Sequence, residues 1–242
     1  NSIAMPHANF PAWLHTLSIV SLLLAGACSL WIAIDVARHP QKMAVMNFVW
    51  PLAALFGSVL WVWLYRAFGR RKGRGIDAPD EELPFWASVA KGASHCGAGC
   101  TLGDIIAEWS VFAFPQIAVW FGWHSLFGEK IFAVWIVDYI VAFVLGIVFQ
   151  YFTIKPMRDV SVAEGVGLAV KADVLSITSW QVGMYGLMGL IQFAWFKPNY
   201  GGVAEVATPE FWFAMQFAML AGFCTAYPTN WWLIRKGVKE RM

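Results

Sequence analysis

The sequence is poor in charged residues. Asp, Glu, Lys and Arg make up 13% of its 242 residues, about half the share of an ordinary soluble domain. Hydrophobic residues make up 59%, and 15 of the residues are tryptophan. A soluble domain of this length could not bury so much apolar surface, whereas a lipid bilayer accommodates it. The composition therefore predicts an integral membrane protein whose first partner is the lipid bilayer.

Other scarcities exclude further classes of protein. The formal net charge is only +2, and the basic residues lie near the ends of apolar segments, which argues against nucleic acid as a partner. The four cysteines are too few for a disulfide framework, so reduced thiols or metal ligands are expected. The sequence contains no recognisable nucleotide-binding loop, haem-attachment motif or Ser-His-Asp order. An enzyme is therefore the less favoured class.

Long apolar segments dominate the chain. A transmembrane helix needs about 20 predominantly apolar residues, and six segments meet this need, at roughly 12–34, 44–68, 99–121, 131–154, 174–196 and 211–234. The sequence therefore predicts an all-α, polytopic bundle of about six transmembrane helices. The more polar stretch 157–173 is predicted either to lie along the membrane interface or to extend the fifth helix.

The placement of Lys and Arg predicts the orientation of the bundle. With six spans, most basic residues fall on one side: Arg66, Arg70, Arg71, Lys72, Arg74, Lys155, Arg158, Lys171, Arg235, Lys236, Lys239 and Arg241. The other side receives only Arg38, Lys42, Lys130 and Lys197. By the positive-inside rule the first side is cytoplasmic, so both termini are expected in the cytoplasm.

A charged, glycine-containing loop after the second segment marks the predicted domain boundary. Residues 1–75 are predicted to form an N-terminal transmembrane hairpin together with this basic cytoplasmic loop. Residues 76–242 are predicted to form a four-helix membrane domain, which contains the run HCGAGC.

The third segment contains the side chains best suited to bind a metal ion. Cys96, Cys100, Asp104 and Glu108 recur every four residues, so neighbouring members lie one helical turn apart, and His95 precedes the first of them. Thiolates and imidazole are ligands for soft or borderline ions such as Cu(I) and Zn(II). The sequence therefore predicts a metal site at the beginning of the third helix, formed by His95, Cys96, Cys100 and Asp104.

The same run has a purely structural interpretation. Gly97, Gly99 and Gly103 are also the residues that allow two membrane helices to approach closely. On this interpretation the two thiols act as small apolar side chains in the packed interior. Both interpretations stay open at the level of the sequence.

Acidic residues lie inside the predicted spans. Asp104, Glu108 and Asp138 fall within apolar segments, and Asp173 falls near the start of the fifth. An ionised residue at the centre of a membrane helix costs roughly 2.5–3.5 kcal/mol on insertion scales, so such residues face the bundle interior and are functional candidates. None of these segments contains a Lys or Arg that could pair with them. We therefore expect Glu108, Asp138 and Asp173 to form a polar track together with Asp104.

The run HCGAGCTLGDIIAEW at 95–109 resembles the signature of a bacterial membrane family known as domain of unknown function 4396. The segments at 172–186 and 227–242 are similar to the same family, so the resemblance covers residues 84–242. It carries over these positions as candidates: His95, Cys96, Cys100, Asp104, Glu108 and Asp173. It leaves out Trp180 and Gln181, where relatives carry other residues.

The resemblance also implies a location and a choice of metal. It implies a multi-pass protein of the bacterial inner membrane. It associates the chain with copper-handling proteins, which ranks copper ahead of zinc. It names no reaction.

Three functions remain open from the sequence. The leading hypothesis is a membrane protein that binds a soft metal ion, copper first and zinc second, for transport or delivery. The second is an accessory or structural subunit of a larger membrane complex or of a homo-oligomer. The third is a membrane redox enzyme that uses the cysteine pair or a bound metal.

Overall fold

The computed structural model describes residues 8–70, 83–155 and 161–241, and its regular elements are all helices. Six helices are long: α1 (Ala12–Arg38), α2 (Met46–Leu64), α3 (Phe85–Ala113), α5 (Lys130–Ile154), α6 (Val162–Gly189) and α8 (Pro209–Arg235). Two are short: α4 (Gln116–Trp120) and α7 (Lys197–Tyr200). The prediction of an all-α bundle is confirmed.

Among the described residues, four helical stretches are long and apolar enough to cross a membrane: Ala12–Arg38, Met46–Gly69, Lys130–Ile154 and Val162–Tyr200. The second and fourth are continuous because α2 and α6 each run on into a π-helical segment. Helices α3 and α8, with 29 and 27 residues, are also long enough to cross a membrane, but they contain many polar and small side chains. The chain is therefore a membrane protein by the length and composition of its helices.

The predicted bounds of the third segment are wrong. Helix α3 runs from Phe85 to Ala113 rather than over 99–121. It ends because Phe114 leaves helical geometry ahead of Pro115, whose ring cannot continue the helix. The run that begins at His95 consequently lies in the interior of α3, not at its beginning. Helix α4 forms from residues that the sequence assigned to the end of the third segment.

The alternative interpretation of the polar stretch is confirmed where the structure describes it. Residues 162–173 form the beginning of α6 instead of a separate interfacial helix. Ser161 caps this helix, because its side-chain oxygen accepts a hydrogen bond of 3.3 Å from the backbone N–H of Glu164. Residues 157–160 lie outside the described residues, and so does the predicted domain boundary near residue 75.

The helices pack pairwise. The most extensive contacts join α6 to α8, α1 to α2, and α3 to α5, and α5 also packs along α6. At one end of the bundle the first turn of α3 lies beside the C-terminal tail, since Arg241 donates a 2.6 Å hydrogen bond to the Leu83 carbonyl. We call this the tail end; it also contains the last turns of α5 and α8 and the first part of α6.

Helix α2 is interrupted halfway along. Ser58 adopts a positive φ of 47°, with ψ at −129°, which breaks the helical hydrogen-bond ladder. The Leu55 carbonyl accepts a 2.9 Å hydrogen bond from Gln216 Nε2 of α8, and Ser21 of α1 donates to the Oε1 of the same side chain at 2.7 Å. An unpaired backbone group is costly in a membrane. One glutamine therefore pairs this carbonyl and joins α8 to both helices of the hairpin.

Candidate ion site between α3, α5 and α6

Helices α3 and α5 approach each other through residues that have almost no side chain. A Cβ placed on Gly99 would lie 3.3 Å from the Gly146 Cα, and one placed on Gly103 would lie 2.7 Å from the Ala142 Cα. Only glycine allows so close an approach of two backbones. These glycines are therefore packing residues, as the structural interpretation predicted. This role is compatible with an ion site, because the close packing of the two helices sets the positions of the polar side chains.

The spacing of these contacts places the acids opposite each other. The contacts recur every four residues on both antiparallel helices, so the next step sets Ala107 of α3 against Asp138 of α5. Asp104 and Glu108 lie on either side of Ala107 along α3. Asp138 therefore lies against the part of α3 that carries both of them. We refer to Asp104, Glu108 and Asp138 as the acid cluster.

The acid cluster is buried without hydrogen-bond partners. Asp104 and Asp138 are 0% exposed and Glu108 is 3% exposed. Neither oxygen of Asp104 or Asp138, nor Oε1 of Glu108, has a hydrogen-bond partner among the residues that the structure describes. Burying a carboxyl group without partners costs several kcal/mol or more. Such groups inside a membrane protein mark a path or site for a proton or cation.

The two thiols of α3 continue the polar interior toward the tail end. Cys96 and Cys100 are fully buried, form no disulfide, and lie one helical turn apart on α3. Asp104 follows one turn further along the same helix. The thiol pair and the acid cluster are therefore contiguous. We call the thiol pair and the acid cluster together the stripe; its part on α3, from Cys96 to Glu108, extends about 18 Å along the helix.

His95 does not point the same way as the thiols. Its Nε2 lies 3.0 Å from Thr153 Oγ1 of α5, and its ring contacts Phe149. Successive residues of an α-helix point about 100° apart, so His95 and Cys96 face different neighbours. Within residues 8–70, 83–155 and 161–241, no three His, Cys, Asp or Glu side chains are grouped closely enough to hold a metal ion. Of the predicted ligand set, the structure brings together the two thiols.

Asp173 closes the stripe at the tail end. Its Oδ1 accepts a 2.8 Å hydrogen bond from Lys239 Nζ, and both side chains are fully buried. Its Oδ2 lies 3.8 Å from the Cβ position of Gly146, which places Asp173 against α5 close to the contact with α3. Sequence reasoning identified the acid but missed its partner, because Lys239 lies in a polar tail that carries no signal of burial.

Uncharged polar side chains of the interior were also missed. Gln150 and Gln181 are buried, and neither amide has a hydrogen-bond partner among the described residues. Tyr185 of α6 donates a 2.8 Å hydrogen bond to the Trp135 carbonyl of α5. Each of these residues is a polar side chain within an apolar span, and this is the signal that could have identified them.

The sequence excluded Trp180 from the site, and the structure makes it a wall of the site. Trp180 is fully buried and lies where side chains on Gly97 and Gly222 would be, so it fills the space between α3, α6 and α8. The neighbouring Gln181 is also buried. The glycines at 97 and 222 therefore accommodate an indole ring, which seals this side of the interior against lipid.

Comparison with known families identifies the same part of the chain. The family described as "Domain of unknown function (DUF4396)" matches residues 85–239, from the first residue of α3 to Lys239. The match includes the thiol pair, the acid cluster and Asp173, and it excludes α1 and α2. Neither a curated protein nor a solved structure gives a significant match.

Proposed function

This chain belongs to the family described as domain of unknown function 4396, and we propose that it carries a soft metal ion, copper first and zinc second, through the interior of α3, α5 and α6. The observation that carries the proposal is the acid cluster. Asp104 and Asp138 are fully buried with none of their four oxygens hydrogen-bonded to a described residue. A cation that passes through the bundle, or the protons exchanged for it, would neutralise these carboxyl groups and so explain why they are buried without partners.

The two halves of the stripe differ in chemistry. Cys96 and Cys100 supply soft thiolate ligands, which favour Cu(I) and also bind Zn(II). The acid cluster supplies carboxylates, which balance the charge of a cation and exchange protons. Conduction requires several sites that each bind weakly enough to release the ion. Donors spaced one helical turn apart meet that requirement.

The proposed arrangement in the membrane has six spans, with both termini on the cytoplasmic side of a bacterial inner membrane. The basic residues near the tail end support it, since Arg235, Lys236 and Arg241 lie at the end where α3 begins and α5 finishes. Reporter fusions or cysteine labelling should place residues 70–80 and the C-terminus in the cytoplasm and residues 198–208 outside. A result with residues 70–80 and the C-terminus on opposite sides contradicts six spans.

Ion flux tests the role of the acid cluster. Asp104→Asn and Asp138→Asn keep the size of the side chain but remove its charge. A hydrogen bond or contact to a charged group is worth about 1.5–3 kcal/mol, so we expect flux of Cu(I) or Zn(II) into proteoliposomes to fall by roughly tenfold or more. Asp35→Asn, in the hairpin outside the family match, is the matched control and should retain flux.

The outcome separates a carrier from a structural subunit. Unchanged flux in both acid variants contradicts the proposed path. If wild-type protein carries no ion and both variants lose their folded state, the acids are structural. The function as an accessory subunit of a larger complex then takes precedence.

Metal retention tests the thiol pair by itself. After chelation and reloading, elemental analysis of purified wild-type protein should find bound copper or zinc. Cys96→Ser combined with Cys100→Ser should abolish this binding, because a hydroxyl is a poor ligand for a soft ion. The control is Cys28→Ser with Cys224→Ser, which removes the two cysteines outside the stripe. Equal metal content in both double variants would show that the ion binds elsewhere.

A further inference from the structure

The C-terminal tail after α8 folds back onto the bundle. Gly237 turns the chain with a positive φ of 67°, and the backbone N–H groups of Val238 and Lys239 both donate to the Leu233 carbonyl, at 3.0 and 3.3 Å. Arg241 then contacts the beginning of α3, with its Nε 3.3 Å from Ser88 Oγ. The tail is therefore attached to the bundle at two places, through the turn that follows α8 and through Arg241.

Between these two attachments, Lys239 inserts its side chain into the bundle. Its Nζ lies 2.8 Å from Asp173 Oδ1 and 3.5 Å from Ser176 Oγ, and the side chain is 0% exposed. Lysine is rarely so deeply buried, because its ammonium group is strongly hydrated. In contrast, Lys236 of the same tail is exposed. The burial of Lys239 is therefore explained by the site into which its side chain inserts and not by the tail as a whole.

That position is rich in oxygen acceptors. Besides the two oxygens that hold Lys239, Asp173 Oδ2 and Asn230 Oδ1 are buried without a partner among the described residues. Asn230 is fixed beside them, because its Nδ2 donates to Ser176 Oγ at 2.8 Å and to the Ala226 carbonyl at 2.8 Å. An ammonium group has three donors and no acceptor. A carboxylate and a hydroxyl thus hold one buried ammonium, and an unpaired amide oxygen belongs to the side chain that contacts the same hydroxyl. Oxygen acceptors grouped in this way have the composition of a cation site.

We propose that Asp173, Ser176 and Asn230 form a binding site for a small monovalent cation of the size of ammonium, and that Lys239 is its tethered occupant. The side chain closes the tail end of the bundle while the tail is in place. Withdrawal of the tail leaves a negatively charged site that a free cation can fill. The site lies beside Gly146, where α5 meets α3, so an opening there leads toward the thiol pair.

This inference goes beyond the proposed function, because it concerns a second cation site and the tail that fills it. It is tested without measuring flux or metal content. Its failure would leave the carrier proposal standing, and failure of the carrier proposal would leave the tethered cation standing.

The test is rescue of a lysine deletion by free ammonium. Lys239→Ala is prepared in a Cys28→Ala, Cys224→Ala background, so that a small thiol reagent reports only Cys96 and Cys100. We expect Lys239→Ala to unfold at a lower temperature than its parent and to label roughly tenfold faster or more, because the plug is missing. Ammonium chloride should raise the Tm and slow the labelling, whereas tetramethylammonium chloride at equal ionic strength should not, since it is larger and donates no hydrogen bond.

Two further variants serve as controls. Lys236→Ala removes the same charge from the same tail and should label and unfold like the parent. Lys239→Ala combined with Asp173→Asn should lose the response to ammonium, because the carboxylate that attracts it is absent. If ammonium and tetramethylammonium act alike, or if the double variant responds as strongly as Lys239→Ala, the cation site is refuted.

A variant that retains every residue covers the case in which Lys239→Ala does not fold in either salt. Two glycines inserted between Lys236 and Gly237 displace Lys239 from Asp173 without deleting its charge. This variant should label faster than the parent and be protected by ammonium. If this variant is labelled at the rate of the parent, the proposal that Lys239 closes the tail end of the bundle is refuted.

Discussion

The N-terminal hairpin of α1 and α2 and the family domain from α3 onward differ in how they surround an acid that lies in an apolar helix. In the hairpin, Asp35 lies near the end of α1 and is 12% exposed. It accepts hydrogen bonds from Arg70 Nε and Nη2 at 2.8 and 3.0 Å and from the Tyr65 hydroxyl at 2.8 Å. In the family domain, the acid cluster is fully or almost fully buried and largely without partners. The acid of the hairpin is thus paired by its neighbours, whereas the acids of the cluster are not.

The two regions also pack differently. Large rings fill the hairpin, such as Trp50 against Tyr65 with centroids 5.5 Å apart and Phe56 against Trp61 at 4.8 Å. In the family domain, α3 meets α5 through glycine, so backbones take the place of side chains. Rings can shift to accept an added atom, whereas two helix backbones in contact cannot do so without separating. The family domain should therefore tolerate less change at its contacts.

The largest expected effect comes from one methyl group added at a glycine of each region. Gly103→Ala places a Cβ 2.7 Å from the Ala142 Cα and should destabilise the protein by about 1–3 kcal/mol, because the helices must separate. Gly26→Ala in α1 meets no atom within 4 Å and should stabilise by about 0.4–1 kcal/mol. Thermal unfolding in detergent measures both. If both substitutions change the stability of the protein equally, the two regions do not differ in packing as we infer.

The next effect compares the acids directly. Asp35→Asn weakens a charge-assisted network whose arginine is 41% exposed, so we expect a loss of about 1 kcal/mol after solvent screening. Asp138→Asn removes no hydrogen bond that the described residues make and takes away a charge that is unfavourable in a buried position, so the free energy of unfolding should not fall. Chemical or thermal unfolding of both variants is the measurement. A larger loss for Asp138→Asn would make that acid a structural element.

The smallest effect concerns the link between the two regions. Gln216→Leu should leave the Leu55 carbonyl unpaired and cost about 0.6 kcal/mol, the average for a polar contact between membrane helices. Phe217→Leu, at the neighbouring and 47% exposed position, is the control and should be close to neutral. Both are compared by their Tm values. If the two variants unfold alike, α8 does not stabilise the break in α2.

Sequence periodicity and residue chemistry predicted much of this protein. Each predicted apolar segment overlaps one of the long helices, and the acids and thiols singled out from the sequence are all buried in the structure. The bounds of α3 were missed because its first half is rich in Ala, Gly and Ser, which pack tightly between helices yet contribute little hydropathy. Hydropathy measures the affinity of a segment for lipid and does not measure packing.

The errors in the site have a different cause. His95 and Cys96 are neighbours in the sequence, but a helix turns them toward different partners, and only α5 with its Thr153 defines where His95 points. Lys239 lies 66 residues from Asp173 along the chain, and no local pattern connects them. The interior of a helical bundle is assembled from faces of several helices. Contacts between side chains of different helices therefore cannot be predicted from the periodicity of any one helix.

The sequence by itself determined that this chain is an α-helical membrane protein, because a bilayer leaves each long apolar segment only the helix as a way to pair its backbone. It also identified the acidic residues that lie within or beside long apolar segments, since these positions can be read directly from the order of the residues. Only the tertiary structure decided which of these groups are satisfied. Asp35 pairs with Arg70 and Asp173 pairs with Lys239, whereas Asp104 and Asp138 have no hydrogen-bond partner among the described residues, because the glycine contacts between α3 and α5 set the rotation and depth at which those two helices meet.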